Sequence, residues 1–155
     1  MKGRIYPPKK LEDLLEKLTS VGPSTPVQIF STKQKALMYA AALGYFRNKR
    51  TRLESRGEGI RYDIFQKALD DGFIDALAIA EKTNLEILSE ESENERAEIF
   101  EEYVYTGLIE MEKVCFEKEG DPLENLIRLA DEGRSAEGAE IEGIDKSILK
   151  GLIGD

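Results

Sequence analysis

The chain has 155 residues and a formal net charge of −9, which is the size of one domain with a single sizeable core. Its one cysteine excludes an internal disulfide, and the absence of histidine removes the usual zinc ligand and the usual acid–base group at neutral pH. It contains neither the roughly 18 consecutive apolar residues of a membrane span nor the apolar region of a secretory signal. We therefore expect a soluble, cytoplasmic protein that makes no membrane contact.

The N-terminal part of the sequence predicts an extended arm followed by two helices. Residues 4–6 are typical of a short strand, and two prolines follow it. Residues 9–20 predict a helix, because their leucines recur at i, i+3, i+4 and i+7. The run Ser-Thr-Lys-Gln at 31–34 matches a capping box, so a second helix should begin there and continue to about Phe46. Many small residues in that helix would allow another backbone to approach closely.

Apolar residues at helical spacing predict two further helices, over 60–69 and 73–88, with Gly72 between them. The run Ser-Glu-Asn-Glu at 92–95 is a second capping box, and the longest predicted helix follows it over 93–118. Both acidic residues of this box also suit the positive end of a helix dipole.

The last predicted helix of the main domain begins at Asp121-Pro122, because aspartate is a good helix cap and proline suits the first helical position. These patterns together predict a mainly α fold: one compact domain over 1–132, about six helices around one core, and a short N-terminal strand. Residues 133–155 comprise a Gly- and Glu-rich stretch, which we expect to be a flexible linker, and then a short C-terminal helix over 144–153.

Charge is divided unevenly along the chain. Residues 1–62 contain 13 Lys or Arg and 5 Asp or Glu, whereas residues 63–155 contain 9 and 26. Basic side chains can bind phosphates, and they can equally pair with the acidic half of the same chain. Both interpretations stay open for the densest basic segment. The candidate nucleic-acid-binding residues there are Arg47, Lys49, Arg50, Arg52, Arg56 and Arg61.

Other reactive side chains give weaker signals. Cys115 lies on the apolar stripe of the longest helix with no histidine to activate it, so we interpret it as a core residue. Four carboxylates near one face of that helix could bind Mg²⁺, but a solvated helix start explains them as well. These are Glu91, Glu95, Glu98 and Glu102. No phosphate-binding glycine motif occurs, so we expect neither a catalytic residue nor a cofactor nor a metal.

Several strings of residues are more specific than any of these motifs. In order and spacing they resemble the DNA phosphorothioation-associated protein 4 family, also described as Dnd system-associated proteins, over about residues 4–132. They are Ala-Ala-Ala-Leu-Gly-Tyr (40–45), Asn-Lys-Arg-Thr-Arg-Leu (48–53), Glu-Gly-Ile-Arg-Tyr-Asp-Ile-Phe (58–65), Glu-Ile-Leu-Ser-Glu (86–90), Ile-Phe-Glu-Glu-Tyr (99–103) with Gly-Leu (107–108), and Asp-Pro-Leu-Glu (121–124). The tail lies outside this resemblance.

The resemblance implies a setting rather than a reaction. Proteins of this family accompany prokaryotic gene clusters that replace a non-bridging phosphate oxygen of DNA by sulfur, as a modification-based defence against foreign DNA. A cysteine desulfurase, an iron–sulfur protein and an ATPase belong to such clusters, and this chain resembles none of them. The family supplies no established catalytic residues to transfer.

The leading hypothesis is a non-enzymatic accessory protein of such a modification and restriction system, which contacts DNA or a DNA-bound protein of the cluster through the basic segment. One alternative is a transcriptional regulator of the cluster, which would act as a homodimer on a specific site. A second alternative is a metal-dependent nuclease component that would bind Mg²⁺ through Glu98, Glu102 or other carboxylates.

Overall fold

The computed structural model describes residues 3–23 and 25–133. In this part the chain forms six α-helices, as the sequence predicts, with a two-stranded sheet at the N-terminal arm and a single core. None of these helices is long and apolar enough to cross a bilayer. The predicted linker and short C-terminal helix fall outside the described residues from 134 onward. The helices are α1 (Glu12–Thr19), α2 (Lys33–Phe46), α3 (Tyr62–Lys67), α4 (Asp71–Lys82), α5 (Glu93–Glu112) and α6 (122–133).

The N-terminal arm forms a strand, as predicted, and its partner lies in a segment predicted to be helical. Strand β1 (Arg4–Ile5) pairs antiparallel with strand β2 (Ile60–Arg61). The helix prediction over 60–69 was therefore wrong for its first two residues, and α3 begins only at Tyr62. Burial of Ile5 in the core fixes the arm and gives residues 60–61 a backbone partner that helical spacing cannot reveal.

Two of the three predicted helix starts carry a side-chain cap. At α2 the cap is Thr32 rather than Ser31, and its hydroxyl accepts the Lys35 N–H at 3.2 Å. At α6 the Asp121 carboxylate accepts the Glu124 N–H at 3.1 Å, as the sequence predicts. The third cap, Ser92, precedes α5 but makes no side-chain bond to the helix backbone.

Two helices end earlier than their apolar stripes predict. Helix α4 stops at Lys82, because Thr83 adopts a left-handed conformation with φ of 56°. A short 3₁₀ turn over Glu86–Leu88 takes the place of the last part of the predicted helix, and a second one over Glu90–Ser92 follows it. Helix α5 stops at Glu112 and continues as one π-helical turn over Lys113–Glu117. The 3₁₀ and π segments are each a single turn, which is too short for hydrophobic spacing to distinguish it from a turn of α-helix.

Helices α2 and α5 form the centre of the fold and approach each other through glycines. A methyl group on Gly107 would lie 2.5 Å from the carbonyl carbon of Ala40, and one on Gly44 would lie 3.1 Å from the Cα of Tyr103. The small residues predicted to allow a close approach do so at this crossing. Their contact places the segment after α2 directly against α5.

Candidate nucleic-acid interface and charged cleft

The basic segment that follows α2 lies across the acidic helix α5. Between the end of α2 and β2 the chain has no regular helix or strand. Thr51 holds it in place: its backbone N–H donates to the Glu102 carbonyl at 3.1 Å, and its hydroxyl lies 2.7 Å from that of Thr106. The predicted basic residues and the carboxylates of α5 therefore face each other.

Arg50 lies at the middle of this contact, and its side chain binds carboxylates of two neighbouring helices. Its Nη1 donates to Glu81 of α4 at 2.9 Å, and its Nε donates to Glu102 of α5 at 2.6 Å. The Tyr103 hydroxyl also donates to Glu81. Only 28% of the Arg50 side chain is exposed. One guanidinium therefore joins the basic segment to two helices at once.

Two more of the six candidates are paired within the chain. The Arg47 Nε lies 2.8 and 3.0 Å from the two carboxylate oxygens of Glu110. Arg61 makes a two-point contact with Asp63 at 2.9 and 3.1 Å. Arg47, Arg50 and Arg61 are thus paired with carboxylates of the same chain, which is one of the two interpretations that the sequence left open.

The other three candidates are Lys49, Arg52 and Arg56. All three are exposed, and none forms an ion pair among the described residues. The Arg56 guanidinium lies 4.8 Å from the centre of the Tyr6 ring, a cation–π contact that is not an ion pair. These three side chains are available to a partner.

A charged cleft of about 670 Å³ opens between this segment and the first half of α5. Two arginines lie on one wall, and the carboxylates of α5 lie on the other. Such a lining suits charged or polar groups and offers little to an apolar ligand. The charged cleft is lined by Arg52, Leu53, Glu54, Ser55, Arg56, Asn94, Glu98, Glu101 and Glu102.

Glu101 is a buried carboxylate in this lining that the sequence patterns did not single out. It is only 4% exposed, and its carboxylate accepts the Tyr6 N–H at 2.6 Å. Burial raises the pKa of Glu101 to about 7, although the Tyr6 N–H and Arg56 oppose the shift. The sequence does contain a sign of this burial. Glu101, Val104 and Leu108 follow the i, i+3, i+7 spacing of one buried helix face.

Replacing Glu101 by glutamine should stabilise the protein at alkaline pH and have little effect at acidic pH. A carboxyl whose folded-state pKa exceeds its ordinary value of 4.5 contributes most to stability below that value, and the contribution is lost as the pH rises through about 7. Glutamine carries no charge at either pH, so it avoids the free-energy cost of ionising a buried carboxyl group. We expect Glu101→Gln to unfold with a free energy up to about 3 kcal/mol higher than the parent at pH 8, measured by urea titration at pH 5 and pH 8.

The matched control is Glu98→Gln, one turn away on α5 and exposed. It should change the free energy of unfolding little at either pH, because an exposed carboxylate is stabilised by water in both states. An equal effect of Glu101→Gln at pH 5 and pH 8 would contradict the assignment of the raised pKa to this residue.

The carboxylates that could have bound Mg²⁺ do not come together at one place in the structure. Glu95 pairs with Lys82, and Glu102 pairs with Arg50. Among residues 3–23 and 25–133, no three Asp, Glu, His or Cys side chains are close enough together to hold one metal ion. Cys115 is buried in the core, as the sequence predicts, and burial raises the pKa of its thiol to about 11.

Comparison with known proteins returns one family. The model of the family described as DNA sulphur modification system-associated protein 4 matches residues 4–147, which extends the resemblance seen in the sequence into the tail. No curated protein and no solved structure matches this chain. The matched range covers nearly all of the described fold, including α2, the basic segment and both walls of the charged cleft. The chain belongs to the DNA sulphur modification system-associated protein 4 family.

Proposed function

We propose that this protein is a non-enzymatic accessory component of a DNA sulphur-modification system, acting in the cytoplasm and contacting DNA directly. Family membership supports the setting. Lys49, Arg52 and Arg56 are exposed and form no ion pair with any residue of 3–23 or 25–133, and in a chain of net charge −9 this is the observation that carries the DNA contact. Exposed cations that are not held in an ion pair are available for phosphates.

The charge layout limits how much of the surface contacts DNA. Arg47, Arg50 and Arg61 already bind carboxylates, and α5 presents further negative charge beside them. A long DNA track along this face is therefore unfavourable. A contact with about three phosphates would give a slope of roughly −3 for the logarithm of the association constant against that of salt concentration.

The non-enzymatic part of the proposal is supported by the chemistry of the chain. The sequence contains no histidine, and its one thiol is buried with a raised pKa and is therefore a poor nucleophile. Proteins elsewhere in the system would perform the sulfur chemistry, and this chain would help them to engage DNA.

Reversing one unpaired charge should weaken DNA binding without weakening the fold. We expect Arg52→Glu to lower the affinity for duplex DNA about tenfold at low salt, because a phosphate contact becomes a repulsion. The measurement is fluorescence anisotropy over a salt series, with plain and phosphorothioate duplexes of one sequence. Comparing the two duplexes separates contact with phosphates from recognition of the sulfur.

The matched control is Lys118→Glu, which makes the same change of net charge at an exposed lysine beyond the C-terminal end of α5. It should bind DNA nearly as well as the parent. If both variants weakened DNA binding equally, the loss would come from overall charge and not from a contact at Arg52. If the parent did not bind DNA at low salt, the DNA contact would be contradicted and these cations would be assigned to a protein partner.

A further inference from the structure

An apolar groove lies between α2 and α6, on a part of the surface that does not include the charged cleft. It encloses about 160 Å³, comparable with cavities of about 150 Å³ that hold a benzene-sized molecule. Phe46 at its edge is 40% exposed, although it is a large aromatic side chain. The groove is lined by Tyr39, Ala42, Leu43, Phe46, Arg47, Leu129, Ala130 and Gly133.

The position of Gly133 indicates what could cover this groove. It lines the groove and is the last described residue of α6, so the following 22 residues of the chain start at the groove itself. The stretch from 134 to 143 is rich in glycine and glutamate, and apolar residues then recur at 144, 148, 149 and 152. Spacings of four and eight residues place apolar side chains on one face of a helix.

The connecting stretch is long enough to allow a return to the groove. Ten residues separate Gly133 from Ile144, and a chain rich in glycine spans roughly 17 Å over that length. A segment tethered this closely has an effective concentration near the millimolar range at the groove. A weak apolar contact would then be enough to keep the groove covered.

We propose that the apolar face of residues 144–152 docks into the groove between α2 and α6 of the same chain. The docked segment covers Phe46 and Leu43 and comes close to Arg47, at the beginning of the basic segment. This contact is separate from the DNA contact proposed above, since none of Lys49, Arg52 and Arg56 lines the groove.

The test attaches a nitroxide to the full-length chain carrying Ser147→Cys and measures paramagnetic broadening of backbone amides by NMR. Buried Cys115 has a raised thiol pKa and is not labelled at pH 7. We expect the amides of Ala42, Phe46 and Ala130 to lose most of their signal. Retention of full signal at these amides would overturn the proposal.

A pair of tail variants with equal change of charge provides the control. Adding Ile148→Asp and Leu149→Asp together should restore the lost signals, whereas Lys150→Asp, which also makes the chain more negative by two charges, should leave them broadened. Equal recovery in both would attribute the contact to charge and overturn the apolar docking. Mixing nitroxide-labelled chains of natural isotope abundance with unlabelled ¹⁵N chains tests a second copy as the occupant. Broadening in that mixture would overturn docking within one chain.

Discussion

Replacing Gly107 by alanine should lower the free energy of unfolding by about 3 kcal/mol or more, the upper range for an overpacked core. The added methyl group would overlap the carbonyl oxygen of Ala40 and lie 2.7 Å from the Cα of the same residue. Backbone atoms cannot rotate away as a flexible side chain can. The two central helices would have to separate, and the contacts on both sides of their crossing would weaken.

Urea denaturation of the variant and of a helical glycine control checks this prediction. Gly72 lies in the first turn of α4, and a methyl group there would have no neighbour within 4 Å. Gly72→Ala should therefore be neutral or raise stability by about 0.5–1 kcal/mol through helix propensity. A Gly107→Ala variant as stable as the parent would contradict the close approach of α2 and α5.

Replacing Arg50 by methionine should cost about 2–3 kcal/mol at pH 7. The full cost of breaking a buried ion pair is about 3–5 kcal/mol, and partial exposure of Arg50 to water lowers it. The loss arises because Glu81 and Glu102 would keep their charges without a cation beside them. Thermal and urea unfolding measure this effect.

The effect of Arg50→Met should decrease on acidification. The Tyr103 hydroxyl and the Arg50 guanidinium lower the pKa of Glu81 from its ordinary value of 4.5. The stability gained from a lowered carboxyl pKa is present above that ordinary value and is lost as the pH falls through the folded-state pKa. We therefore expect the variant and the parent to approach each other in stability below about pH 4.5.

Arg47→Met is the matched control, because Arg47 also binds a carboxylate but is 42% exposed. Its loss should be at most about 1 kcal/mol, as for surface ion pairs. Equal losses for both variants would show that Arg50 is an ordinary surface arginine. The difference also explains why Arg52, and not Arg50, is the residue to reverse in a DNA-binding test.

Local patterns in the sequence determined most of the helical framework. Leucine spacing predicted α1, the Asp121 carboxylate predicted the start of α6, and the apolar stripe of α5 predicted the burial of Cys115. Each of these depends on residues within about two helical turns of one another, so a single sequence is enough to read them. The family resemblance was also readable from short strings, and it agrees with the family match.

The tertiary structure decided which basic residues are free and where the buried carboxylate lies. Arg50 finds its carboxylates 31 and 52 positions away along the chain, and Glu101 is bonded by an N–H 95 positions away. Such partners depend on how α2 crosses α5 and on where the arm lies, and no local spacing encodes either. From the sequence alone, the six candidate cations could therefore not be divided into those that are paired within the chain and those that are exposed. Folding pairs Arg47 and Arg50 with carboxylates, because the crossing places them against acidic side chains. Arg61 pairs with Asp63, only two positions further along the chain, and Lys49, Arg52 and Arg56 stay exposed to water.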